Sequence, residues 1–216
     1  MKDIIILGTG GNSIDIADTI EDINDDKRQY NLIGFFDDNP ELVNREVDTY
    51  PVLGSLSKES AEKFKSAFFI NGIGSPKTYV RKKEIISKLQ VPLSRFVNII
   101  HPSSIVSRRA QLGCGIAILQ NCTVNVYAKI CNHVIMLCNS AVEHHAVVGD
   151  YCCICGGVII AGNVRIEESC YLATGVILRD GIAIGSGTLV GMGSVVVNDI
   201  DKNQTVIGVP AKPKSF

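Results

Sequence analysis

No basic tail or stripe runs along this chain. Its 216 residues carry a net charge of −1 with acidic and basic side chains intermixed, which argues against a nucleic-acid partner. No apolar stretch approaches the length of a membrane span. The run at residues 4–7 is too short and wrongly flanked for an export signal, so the expected location is the cytoplasm, without a membrane partner. No second cysteine pair stands at zinc-site spacing beside Cys152 and Cys155, and no metal is expected. Adjacent strand positions point to opposite faces, which separates Cys152 from Cys153. All eight cysteines fall at or after Cys114. In a chain of this length they read as reduced, buried thiols acting as small apolar side chains. Also missing are a Ser-His-Asp nucleophile arrangement and a complete GxGxxG fingerprint, because Ser13 stands where the last glycine would be. An NAD-linked enzyme would need that spacing and a substrate domain as well.

What remains is enough chain to bury a core unaided, as one large or two small domains. Composition changes near residue 100: most phenylalanines lie before it and every cysteine after it. The first half alternates strand and helix patterns. Residues 4–7 form a short buried strand, residues 8–13 a glycine turn, and residues 14–23 carry helical spacing. A second strand at 32–36 ends in Asp37-Asp38-Asn39-Pro40. A third at 67–70 is closed by Gly72-Ile73-Gly74, and a helix is expected over 77–90. This order predicts a short parallel sheet with helices on its faces, a Rossmann-like α/β domain over residues 1–100.

The second half has a period of six. Every sixth residue from Val106 to Val196 is a medium-sized apolar side chain. Two places before it sits a mostly small or β-branched residue, as at Ala110, Cys122, Ala128, Ser140 and Thr188. The pattern predicts a three-sided prism of short strands from about residue 106 to 197, in a domain over residues 101–216 that ends in a C-terminal tail. The periodic residue points inward, and roughly five coils stack by parallel pairing.

On that count Val142 and Val148 point inward, so Glu143, His144 and His145 fall on the corner between two sides. Solvated corner residues are one reading. The other is chemical. An imidazole titrates near neutrality and can take a proton from an attacking amine or hydroxyl, and backbone N–H groups in turns can hold an oxyanion. With no nucleophile arrangement in view, direct transfer is favoured over an acyl-enzyme. His133 reads as an ordinary surface residue, His101-Pro102 as a structural opening of the solenoid, and Arg81-Lys82-Lys83 as a solvated helix face.

Several short motifs stand in a specific order: Gly8-Thr9-Gly10-Gly11, Phe36-Asp37-Asp38-Asn39, Ile73-Gly74, Ile100-His101-Pro102-Ser103, Val142-Glu143-His144, Ala161-Gly162-Asn163-Val164 and Gly208-Val209-Pro210-Ala211-Lys212. Through them the chain resembles the PglD/NeuD family of bacterial sugar acyltransferases, over nearly its whole length. The resemblance implies a left-handed β-helix, homotrimers with sites between subunits, and acetyl-CoA-dependent N-acetylation of a UDP- or dTDP-linked amino deoxysugar. It makes His144 the general base. It places Gly10, Gly11, Asn12, Asp37, Asp38 and Gly74 beside the nucleotide, and Gly162, Thr174, Gly191, Met192 and Lys212 along acetyl-CoA. Three positions depart from the family pattern. His145 stands where a carboxylate usually follows the base, with Glu143 a candidate substitute. Cys153 stands where a histidine lies near the thioester, and Asn12 replaces a histidine. The departures keep two alternatives in view, sugar O-acetylation and a non-catalytic trimeric scaffold.

Overall fold

The computed structural model describes residues 1–214. Strand β1 (Lys2–Leu7) leads into helix α1 (Gly11–Asp26), then β2 (Tyr30–Phe36), β3 (Glu46–Val47), β4 (Tyr50–Gly54), α2 (Lys58–Lys63), β5 (Phe68–Asn71) and α3 (Lys82–Ser87). The sheet order is β3-β4-β2-β1-β5, parallel except for the β3–β4 pair. Helix α1 forms because Ile16, Ala17, Ile20 and Ile23 recur at helical spacing and bury one face against the sheet. The single helix expected over 77–90 is a 3₁₀ turn at Tyr79–Arg81 followed by the short α3. It ends early because Lys88, Leu89 and Gln90 each donate to the carbonyl three residues back, and Gln90 takes a left-handed φ of 50°.

From Ile99 onward the chain winds as a left-handed parallel β-helix of two-residue strands. Its first side runs from Ile105–Val106 to Val195–Val196, and its second from Gln111–Leu112 to Ala183–Ile184. The third runs from Ile99–Ile100 through Leu189–Val190 to a closing hairpin, Thr205–Gly208 with Ala211–Pro213. Stacked partners are one coil apart, as in Val124 with Val142 and Val142 with Ile160. The periodic residues and those two places before them fill one continuous core. Each buried Val, Ile or Leu contributes roughly 1.5–3 kcal/mol. Every sixth residue from Gly115 through Gly193 turns a corner with a positive φ.

The α/β domain lies on the outer surface of the third side. Helix α1 packs against Ile99, Ala117 and Leu119, and Tyr79 packs on Tyr171 and donates to Gly187 O at 3.1 Å. This docking overturns two surface expectations. Lys82 is not solvated: it is 0% exposed, and its Nζ donates to Cys152 O at 3.2 Å and Cys153 Sγ at 3.3 Å. Its neighbours Arg81 and Lys83 remain exposed, Lys83 pairing with Glu168. His133 is 3% exposed, stacked on Tyr151 at 5.0 Å and met edge-on by Phe96 at 4.5 Å. Phe96 belongs to the segment that connects the two halves, and it covers a corner that the repeat alone would leave open. His101, at the opening of the solenoid, also links the halves, its Nε2 2.7 Å from Asp22 Oδ2 on α1.

The cysteines are all free thiols. Five are buried, but Cys114 and Cys131 are only partly covered and Cys138 is exposed. The latter three lie on corners, outside the inward positions. Among the described residues no group of side chains could hold a metal ion, and no helix is long and apolar enough to cross a membrane.

Candidate active site

A cleft of about 400 Å³ opens where β1 and β5 end and α1 begins. Its walls are the turn Gly8-Thr9-Gly10-Gly11-Asn12, Asp37, residues 72–76, Thr78 and Tyr171. Ligands of parallel α/β sheets bind at this carboxyl edge. Gly72 allows the end of β5 to approach α1, because a Cβ there would collide with Ser13 Oγ. No side chain caps the first turn of α1. Its free N–H groups and dipole therefore face the cleft at Gly11 and Asn12, an arrangement suited to a diphosphate.

The polar walls are held in place. Asp37 Oδ2 accepts from Thr9 Oγ1 at 2.8 Å, and its Oδ1 accepts from Asn39 N. Asn12 Nδ2 donates to Gly74 O at 3.2 Å. Asp38 is turned away from the cleft, accepting from Leu56 N at 2.9 Å and Lys88 Nζ at 3.1 Å. Gly74 rests on the third side of the solenoid, where a Cβ would come within 2.8 Å of Cys153 Sγ. Cys153 is buried beneath it, and burial pushes its thiol upward while the nearby Lys82 opposes that. Ser75, Thr78 and Tyr171 line the cleft without having been singled out from the sequence. The sign of Tyr171 was a large aromatic at an outward strand position, where only a docked surface would shelter it.

His144 stands elsewhere, exposed on the corner between the first and second sides. Its ring lies over Gly162, where a Cβ would come within 2.5 Å of Cε1 and 2.8 Å of Nε2. Its Nδ1 is 3.2 Å from His145 Nδ1. Glu143 does not take the place of the missing carboxylate, because its Oε2 accepts from Asn125 Nδ2 at 2.6 Å. Of the residues expected along acetyl-CoA, only Gly162 adjoins His144. Thr174, Gly191 and Met192 sit on the edge between the third and first sides, with Gly193 N donating to Thr174 O at 2.9 Å. Lys212 is exposed on the closing hairpin. A triangular prism keeps its edges apart, so one chain does not unite His144, the cleft, and Thr174, Gly191 and Met192.

Residues 3–89 match the model of the PglD N-terminal domain. Over 99% of its length the chain superposes on all of the acetyltransferase domain of PglB from Neisseria gonorrhoeae, with a TM-score of 0.85 and 26% identity. It superposes equally well, at TM-score 0.85 and 26% identity, on PerB from Caulobacter crescentus in complex with CoA and GDP-perosamine, covering 100% of this chain and 98% of that one. Its first domain matches the PglD N-terminal family, and its full length is similar to acetyltransferases of this architecture. Among curated proteins it is 27% identical over 85 residues to the acyl-[acyl-carrier-protein]–UDP-N-acetylglucosamine O-acyltransferase of Pseudomonas paraeruginosa, 39% of this chain. The chain spans a third of the length of that relative.

Proposed function

We propose that the protein is an acetyl-CoA-dependent N-acetyltransferase acting on a nucleotide-linked amino deoxysugar. The observation that carries this reading is the full-length likeness to PerB, whose structure holds CoA and GDP-perosamine. Residues 1–100 hold the nucleotide sugar, with the diphosphate at Gly10 and Gly11 and the nucleoside along Asp37 and Gly74. Residues 101–216 carry the transfer. His144 Nε2 takes a proton as the sugar amine attacks the thioester carbonyl. The N–C bond forms, the C–S bond breaks, and the proton ends on the departing thiolate. Positioning supplies much of the acceleration when the amine arrives uncharged.

The working form is a homotrimer in the cytoplasm. Its edges come together because the outer first side is an apolar stripe, exposed at Ile105, Ile159 and Ile177 and continued by Ala141 and Val195. The second side presents Gln111, Lys129 and Arg165 beside Val147 and Ala183. An uncovered apolar stripe of this kind marks an interaction surface, and closed cyclic symmetry suits a three-sided prism. In the trimer, Gly162, Thr174, Gly191, Met192 and Lys212 line acetyl-CoA between subunits.

The test is thiol release from acetyl-CoA with UDP-, dTDP- and GDP-linked amino sugars. Release with an amino sugar supports the reading. Release only with hydroxyl sugars would make the enzyme an O-acetyltransferase, and failure to bind acetyl-CoA would leave a scaffold. Two variants sharpen the assignment. Asp37→Asn should raise KM for the sugar about 10-fold or more, the worth of a hydrogen bond to a charged group, with KM for acetyl-CoA unchanged. Equal effects on both would refute the placement of the sugar. The nearest atoms that Gly162→Ala would push on are those of the His144 ring. The substitution should lower kcat roughly 10²-fold, the cost of displacing a reacting group by about 1 Å, with an unchanged melting temperature.

A further inference from the structure

We propose that His145, held by Tyr127 on the adjacent coil, is a positioning residue that sets the tautomer of His144, and that the two imidazoles act only as a doubly neutral pair. The inference rests on His144 being the base.

These residues share a corner position with a left-handed backbone. Along the solenoid the left-handed corner position is filled mostly by glycine and asparagine, the residues that tolerate it best. On the corner between the first and second sides the successive occupants are Tyr127, His145, Asn163 and Gly181, with φ of 61°, 61°, 61° and 74°. The last two follow the rule. The first two place rings there, as His133 and Tyr151 do on the corner between the second and third sides, and the rings touch: the centroids of Tyr127 and His145 are 5.0 Å apart at 36°. Arg109, on the next coil away from His145, donates to Tyr127 Oη at 3.4 Å, with its guanidinium 5.9 Å from the same ring. Backbone outliers of this kind gather at functional sites.

This column ends at His144. The 3.2 Å separation of the two Nδ1 atoms leaves room for one proton between them. Among the described residues His144 has no other hydrogen-bond partner, since Glu143 is engaged by Asn125. For Nε2 of neutral His144 to accept a proton, its own proton must lie on Nδ1 and be donated to His145 Nδ1. The proton of His145 then sits on its Nε2. The partner of one ring nitrogen thus sets the state of the other. A proton added to His145 reverses the hydrogen bond, because the imidazolium donates to His144 Nδ1 and leaves the His144 proton on Nε2. A proton added to His144 fills the acceptor directly. Either event silences the base. A carboxylate in the place of His145 would instead accept from the charged and the neutral ring alike. The charged groups facing the pair are Glu143 on the same corner, Arg108 and Arg109 two coils to one side, and Arg179 and Asp180 two coils to the other.

The decisive variant is His145→Gly, which suits the left-handed turn and removes both the acceptor and the stacked ring. It should lower kcat about 10- to 100-fold, as loss of a group that orients a reacting histidine does in metal sites, with KM for acetyl-CoA nearly unchanged. Nitrogen-15 NMR of His144 at neutral pH should report a proton on Nδ1 in the native protein and a shift toward Nε2 in the variant. His145→Asp, also at home with a left-handed φ, should restore kcat, because its carboxylate accepts from His144 Nδ1. Tyr127→Gly should cost several-fold in kcat. An unchanged kcat in His145→Gly overturns the proposal, and so does a fall in kcat without a change of tautomer. If no amino sugar is acetylated by any form of the protein, the assignment of His144 as base fails. The NMR comparison then still decides whether His145 sets its tautomer.

Discussion

His144→Ala is expected to abolish most of the acetyl transfer, by about 10²- to 10⁴-fold in kcat, the range associated with loss of a general base. The ring is exposed on a corner, over Gly162 and beside His145, so its removal leaves the solenoid core intact and the melting temperature close to that of the native protein. Binding of the nucleotide sugar should also persist, because the cleft at Gly10, Asn12 and Asp37 shares no residue with that corner. Thiol release at saturating sugar and acetyl-CoA separates the effect on chemistry from any effect on affinity. Full activity in His144→Ala would exclude the corner as the site of proton transfer.

Acid should destabilise the protein through His133. Burial, aided by the nearby Lys82 and opposed by Asp150, lowers its pKa from 6.5 to about 4. Between those values the unfolded chain binds more proton than the folded one, so stability rises with pH across that window. The contribution is complete above about pH 6.5 and is lost as pH falls toward 4, amounting to on the order of 3 kcal/mol. The structural cause is plain: a charged ring would have to sit between Phe96 and Tyr151, with its buried Nδ1 lacking a hydrogen-bond partner among the described residues. The measurement is urea unfolding at pH 7, 5.5 and 4.5 at fixed protein concentration, for the native chain and for His133→Asn. Asparagine suits the left-handed φ of 57° at this corner. Titrations elsewhere are common to both proteins, so the difference between their pH dependences isolates His133. Identical dependences would mean that the ring is protonated in place without cost.

How much of this was legible in the sequence follows from what each feature depends on. The solenoid was legible because a repeat carries its own environment: the inward face at Val142 is set by identical neighbours one coil away, Val124 and Ile160. The α/β domain was legible in its first elements, since β1, α1 and β2 are local patterns. The glycine turn of the cleft and His144 on its corner follow from the same counting, because chain direction and period place them without any distant partner. Lys82 and His133 were misplaced for the opposite reason. Each stands on a surface in its own half, and each is buried only because the α/β domain lies across the third side. Docking is a property of two surfaces far apart in the chain, and periodicity carries no record of it. The same contact brings Tyr171 into a cleft built otherwise from residues 8–78. The roles of neighbouring polar residues were likewise decided by tertiary structure. Asp37 faces the cleft while Asp38 turns to Leu56 and Lys88, and Glu143 bonds Asn125 while His145 meets His144. Sequence alone determined where the chemistry-bearing residues stand along the prism, because the repeat is a ruler. Which of them touch was decided by the three-dimensional fold, because a hydrogen bond depends on directions within a few tenths of an ångström that a period cannot encode.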